Sequence, residues 1–287
     1  MFFPNPDNKL ATIASLHLYP VKSCRGLDLD AASLGPRGLE AHGLGDRQWA
    51  VIDPDGSVLT QREHPALALV EPRPVPGGLA LSAPGMPSFE VSAGAAQTAV
   101  RAGIWGDDVG AIDAGAEAAA RFSAFLGAPA RLARFDDREK RRSNPRYTRD
   151  IEALNRFSDG YPILVLSLAS LADLNQRWAR AGSAPLPMNR FRPNVVIDGI
   201  DPYAEDHLAS LEHAGFALRP VKACARCSIP SVDQATGVVG PAPLELLTAY
   251  RFNADLQGAT FGQNVVVARG TGATIRIGQQ LEERWNF

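Results

Sequence analysis

Glycine and proline punctuate this chain more heavily than any other feature constrains it. There are 26 Gly and 22 Pro in 287 residues, and so many turn signals favour a succession of short elements over a helical bundle. The apolar residues between the breaks agree. Ile13, Ser15, His17 and Tyr19 alternate with Ala14, Leu16 and Leu18, the pattern of a half-buried strand, which Pro20 ends. Trp49-Ala50-Val51-Ile52 runs into Asp53-Pro54-Asp55-Gly56 and on to Val58-Leu59-Thr60, which reads as a hairpin around a Pro-Asp-Gly turn. That turn lacks the later acidic ligands of a calcium loop. Leu79 to Val109 reads as further strands, and Ala114 to Leu126 has helical spacing that Gly127-Ala128-Pro129 stops.

Arg131 to Asp150 is dense in Arg but interleaved with Asp136, Asp137, Glu139 and Asp150. It reads first as a solvated connector and second as a mobile cover over an anionic ligand. Beyond it, Tyr161 to Leu166 is a buried strand, and Ser167 to Arg180 a helix with Leu171, Leu174 and Trp178 on one face. Val195 to Ile197, the flanks of Val221, Asn264 to Ala268 and Thr274 to Ile277 add strands. The expected fold is mainly β with some α (α+β). A boundary in the Arg-rich stretch divides it into residues 11–130 and residues 131–287, with the connector at 131–150.

Composition removes several classes. A net charge of −2 with 45% hydrophobic residues is too balanced and too apolar for disorder, and it exerts no general pull on nucleic acid or anionic lipid. No stretch approaches the length of a membrane span, and the first twenty residues lack the pattern of a secretory signal. Three Cys are too few for a disulfide scaffold. A reducing, cytoplasmic compartment is expected.

Chemistry concentrates at Lys222-Ala223-Cys224-Ala225-Arg226-Cys227. A C-x-x-C pair can be half of a zinc site, with Cys24 and a His completing it, a redox pair, or simple packing. It can also present one thiolate, activated by Lys222 and Arg226 and suited to a redox-active metal. Lys22-Ser23, Asp46-Arg47, Ser167 with Ser170, and Asn189 to Asn194 lie at strand ends or loops, where binding residues gather. Their Arg, Asn and Ser side chains suit a heterocyclic ligand bearing phosphate. No phosphate-binding Gly loop, nucleophile elbow or H-E-x-x-H is present.

The motifs Leu18-Tyr19-Pro20-Val21-Lys22-Ser23-Cys24-Arg25-Gly26, Gly45-Asp46-Arg47-Gln48-Trp49, Phe157-Ser158-Asp159-Gly160-Tyr161-Pro162, Arg190-Phe191-Arg192-Pro193-Asn194, Cys224-Ala225-Arg226-Cys227 and Phe261-Gly262-Gln263 occur in this order. In them the chain strongly resembles the MOSC-domain proteins that carry an N-terminal MOSC-associated β-barrel domain, a branch that contains the mitochondrial amidoxime-reducing components and YcbX-like relatives. The resemblance implies a molybdenum cofactor, one molybdopterin whose metal is bonded to Cys227, and a chemistry independent of pyridoxal phosphate. It places Lys22, Ser23, Arg47, Ser167, Ser170, Arg192, Asn194, Arg226 and Asn264 around that group. Ala225 stands where relatives often carry Ser, and Asn264 where the mammalian proteins place Tyr.

The activity implied is reduction of N-hydroxylated compounds, namely hydroxylamines, amidoximes and N-hydroxylated bases. The four-Cys ferredoxin domain of some relatives is not in this sequence, so a separate ferredoxin-, flavin- or cytochrome-type protein is the expected electron donor. Sulfur transfer or cofactor carriage on Cys227 is the alternative, because MOSC domains also end the molybdenum-cofactor sulfurases. No nucleic-acid partner is expected.

Overall fold

Seven strands close on themselves in the computed structural model, which describes residues 10–94, 98–180 and 182–286. Residues 1–9, part of the segment without a secretory-signal pattern, and Phe287 lie outside that set. The circuit begins with Ile163–Ser167, runs parallel to Val195–Asp198, and continues through Ala11–Leu18, Gln280–Trp285, Leu208–His213, Phe216–Ala225 and Gly258–Arg269. It closes where Val165 faces Gln263. A closed barrel leaves no exposed sheet edge to manage.

The first strand shows how sequence sets the core. Strict alternation places Ile13 and Leu16 on opposite faces, yet both are fully buried. A register shift against Val195–Asp198 between Ile13 and Ser15 turns the strand over, as a β-bulge does. One apolar cluster then runs from Leu16, Leu18 and Val21 through Leu79 and Phe122 to Val165, Leu218 and Ile275.

Four smaller sheets accompany the barrel among the described residues, the smallest being Arg141–Arg142 paired with Leu154–Asn155. Trp49–Ile52, Arg131–Phe135, Asp107–Asp113 and Thr98–Ile104 form one sheet, and Glu71–Val75, Gly78–Ala83 and Met86–Ser92 a second. The third joins Ala31–Gly35, Gly38–Ala41 and Leu44–Gly45 to Thr274–Arg276. The helix Ala116–Leu126 packs Phe122 edge-on against Phe89 and ends on Gly127 at φ 67°. Strand pairing crosses residue 130 repeatedly among the described residues. Ala11–Leu18 pairs Val195–Asp198 and Gln280–Trp285, Arg131–Phe135 pairs Trp49–Ile52 and Asp107–Asp113, and Thr274–Arg276 pairs Ala31–Gly35.

The Pro-Asp-Gly hairpin forms: the Gly56 amide donates to the Asp53 carbonyl, the Leu59 amide donates back to the Val51 carbonyl at 2.8 Å, and Ile52 bridges Val58. Two other expectations need correction. The Arg-rich stretch is a solvated connector only in part. Leu132, Ala133 and Phe135 are buried in a sheet, and Arg141 is buried with its guanidinium bonded to Asp107 and to the carbonyls of Arg156 and Ser158. Arg131 and Arg134 interrupt its short apolar run, so no strand alternation shows in the sequence. The second half also holds another helix, Pro243–Arg251, opened by proline at its first turn.

Candidate functional site

A cavity of about 720 Å³ gathers most of the residues singled out by sequence: Lys22, Ser23, Arg47, Arg192, Asn194, Arg226, Cys227 and Asn264 all line it. They arrive from the segment after Pro20, the 45–48 turn, the loop after Phe191, the end of strand Phe216–Ala225, and strand Gly258–Arg269. The backbone is held in unusual conformations here. Ser23, Arg47, Trp105 and Arg192 all have positive φ, at 66°, 46°, 53° and 55°, and all four border the cavity. Non-glycine residues in this region cost energy and concentrate where geometry is imposed for function.

A buried polar hub imposes that geometry. The Asp46 carboxylate accepts from the Tyr19 amide and from Asn194 Nδ2, both at 2.9 Å, and from Arg47. Asn194 Oδ1 accepts from Arg47 Nη1 and from the Leu164 amide, each at 3.1 Å, while its Nδ2 also donates to the His17 carbonyl. The Asn194 amide is thus saturated by protein, so it holds Arg47 in place rather than reading a ligand. Arg47 and Arg192 both lie over the Tyr19 ring, 4.3 Å from its centroid. Burial pushes the Tyr19 hydroxyl up to about 12 against the pull of both guanidiniums. Burial also lowers Arg192 to about 10, which leaves it charged at neutral pH.

Among the described residues, eight basic side chains line the cavity against two carboxylates, Asp107 and Asp159. Lys22 donates to the Phe157 carbonyl at 2.8 Å and pairs with Asp159. Burial lowers the Lys22 pKa against the pull of Asp159. Burial alone would raise Asp159, but Lys22 and a hydrogen bond from Trp105 outweigh it and hold the carboxyl below its usual range. The surplus is positive, as an anionic ligand requires.

The two cysteines of the C-x-x-C pair differ. Cys224 Sγ accepts from Arg226 Nη1 at 3.2 Å, and burial raises its thiol pKa against the influence of that guanidinium. Cys227 is half-buried and lines the cavity with a free thiol. Cys24 lies in the apolar core, where burial pushes its thiol up to about 12. Among the described residues no three His, Cys, Asp or Glu side chains are placed to hold a metal, so the zinc reading of Cys24 with the pair does not assemble. Two buried guanidinium nitrogens beside the cavity, Arg192 Nη2 and Arg226 Nε, have no partner among the described residues.

Ser167 and Ser170 are not brought to the cavity. Ser167 Oγ caps the helix Leu168–Arg180 by accepting the Ser170 amide at 3.0 Å, and Ser170 Oγ donates to Glu205 at 2.8 Å. Capping and burial account for both hydroxyls. Conversely, sequence spacing gave no hint of Gln61 and Gln234, which exchange side-chain amide bonds at 3.0 and 2.9 Å. Gln61 also donates to the Ser23 carbonyl, and Arg192 Nη1 donates to Gln234. Arg62, Trp105 and Arg141 also line the site. Only Arg141 had a signal, the Arg density around it.

Comparison with known proteins agrees with this architecture. The MOSC N-terminal beta barrel domain matches residues 10–129 and the MOSC domain residues 153–282. Fold and site therefore define a MOSC-domain protein. Within that class the chain belongs to the family that includes the mitochondrial amidoxime-reducing components. It is 35% identical to mitochondrial amidoxime reducing component 2 of Bos taurus over 251 residues, covering 85% of this chain and 73% of that protein. It is also 35% identical to component 1 of Homo sapiens, with the same coverage. Molybdenum cofactor sulfurase of Danio rerio is 29% identical over 85% of this chain but only 31% of its own length. Among the described residues no helix is long and apolar enough to cross a membrane.

Proposed function

We propose that this chain is a molybdenum-cofactor-dependent oxidoreductase that reduces N-hydroxylated compounds (hydroxylamines, amidoximes, N-hydroxylated bases) with electrons from a separate ferredoxin-, flavin- or cytochrome-type protein in a reducing, cytoplasmic compartment. One observation carries this reading. A free thiol, Cys227, shares a cavity with eight basic side chains, in a chain 35% identical to proteins named amidoxime-reducing components.

The residues present fit a phosphate-bearing pterin. Arg192 Nη2 and Arg226 Nε are donors without a partner among the described residues, and a buried cationic donor without a partner is costly unless a ligand or water completes it. Cys227 would be the metal's protein ligand, a soft thiolate of the kind such metals select. Lys22, Ser23, Arg47, Arg192 and Arg226 would surround the pterin and its phosphate, with Asn264 in the wall. When bound, that group supplies the two-electron redox chemistry. The chain's own part is orientation and charge. Asn194 and Asp46 fix Arg47, Tyr19 carries the Arg47 and Arg192 guanidiniums, and Gln234 ties Arg192 to Gln61.

Replacing Cys227 by Ala in protein made in a cofactor-competent host is expected to abolish reductase turnover while leaving the fold intact. Unchanged activity with a reduced donor refutes the assignment. The match to a molybdenum cofactor sulfurase favours sulfur transfer as the second reading. A persulfide detected on Cys227, without N-reductase turnover, selects it.

A further inference from the structure

Among the described residues that line the cavity, Trp105 is the one large aromatic side chain that is exposed, at 56%. It stands at the tip of a hairpin in which Ile104 faces Asp107, so Trp105 and Gly106 form the whole turn, both with positive φ. Such a two-residue turn favours Asn or Asp at its first position. A bulky side chain there is strained and contributes nothing to the apolar core.

The ring is nevertheless held. Its Nε1–H donates to Asp159 at 3.0 Å, and the Arg62 guanidinium lies over it, 4.4 Å from the ring centroid. The hairpin beneath is stitched to the 53–57 turn through Gly103, whose amide donates to the Gly56 carbonyl at 2.8 Å and whose carbonyl accepts the Val58 amide at 3.1 Å. A flat, exposed apolar surface is therefore fixed beside a cavity that eight basic side chains also line. An exposed, oriented indole of this kind suits a planar π-system better than an alkyl chain.

We propose that Trp105, backed by Arg62, is a specificity-determining residue: it stacks the aromatic ring of a neutral aryl or heteroaromatic N-hydroxylated substrate at the cavity mouth and thereby favours such substrates over aliphatic ones. This rests on the reductase reading above. Arg62 positions the indole through the cation–π contact, and Asp159 fixes its rotation through the Nε1 hydrogen bond.

The test uses holoenzyme with benzamidoxime and N-methylhydroxylamine as paired substrates. Trp105→Ala is expected to raise KM for benzamidoxime about tenfold more than KM for N-methylhydroxylamine, with the benzamidoxime kcat changed by about twofold at most, as loss of uniform binding requires. Trp105→Phe is expected to recover most of the difference. If the two KM values move together, or if W105A lowers the metal and pterin content per chain, the proposal is overturned, since the indole then serves structure or cofactor. Should the wild-type holoenzyme turn over neither substrate, the reductase reading fails by itself. Quenching of tryptophan fluorescence by benzamide then decides the stacking surface. Quenching that disappears in W105A upholds it, while quenching absent from wild type or retained in the variant overturns it.

Discussion

Arg226 directs Nη1 at Cys224 Sγ, 3.2 Å away, and Nη2 at the Phe191 carbonyl, so its charge is engaged by the first cysteine of the pair. Cys227 is left with its thiol on the cavity. The two positions should therefore respond differently. Cys227→Ala is expected to lose bound molybdenum and all measurable reductase turnover while melting within a few degrees of wild type. Cys224→Ala removes only a neighbour's partner and is expected to keep the metal and lose about tenfold or less in kcat/KM. Metal content by mass spectrometry and steady-state rates check both. Equal loss at the two positions contradicts this division of roles.

Asn194 gives a test of positioning. Truncation to Ala leaves the Leu164 amide and the His17 carbonyl each short of one partner, and Asp46 and Arg47 each short of one bond, at a fully buried site. Buried groups left unpaired are costly, and the loss expected is about 3 kcal/mol of unfolding free energy. Urea denaturation measures it. A variant as stable as wild type, with weakened cofactor binding, would show that Asn194 touches the ligand directly.

Much of the site was legible because its residues sit where chain geometry changes. Lys22 and Ser23 follow the proline that ends a strand, and Cys224 to Cys227 follow the end of another, so composition and position pointed the same way. Ser167 and Ser170 misled for a physical reason: a serine that caps a helix looks, in sequence, like a serine that binds a ligand. Gln61 and Gln234 were invisible, since a reciprocal amide pair between residues 173 positions apart leaves no local pattern. The barrel's circuit was equally hidden. Nothing in the alternation of residues 11–18 says that this strand pairs with Val195–Asp198 and Gln280–Trp285.

Closure of the barrel depends on Gly262. Its φ is +84°, and a Cβ there would come within 2.8 Å of the Val165 carbonyl oxygen and of Leu166 Cγ. Strand Gly258–Arg269 meets strand Ile163–Ser167 at this point, and the opposing atoms include backbone, which cannot step aside. Gly262→Ala therefore carries both a conformational penalty and a clash. The expected loss is at least about 2 kcal/mol, read as a lower urea midpoint or as insoluble protein. Wild-type stability in this variant would mean that the two strands can separate without consequence.

Glu205 should make stability depend on pH in an unusual direction. Burial is the largest influence on its carboxyl, opposed by a hydrogen bond from Ser170, and the pKa stands at about 7 against an ordinary 4.5. Its Oε1 is buried with no partner among the described residues, which suits a protonated acid better than a carboxylate. The nearest like charge, Asp206, is already paired with Arg251 and accepts from Gln263 at 2.7 Å. Because the folded-state pKa is the higher one, the folded chain retains this proton between about pH 4.5 and 7 while the unfolded chain has released it. Stability from this group is therefore full below that window, falls as pH rises through it, and stays low above it. The total change is up to ~3 kcal/mol. Glu205→Gln carries no titrating proton and is expected to lack this decline. The difference in unfolding free energy between variant and wild type should then shift in the variant's favour from pH 5 to pH 8. Urea titrations at four pH values across that span measure the difference directly, which cancels the titration of every other group. A difference independent of pH would show that Glu205 titrates alike in the folded and unfolded chain.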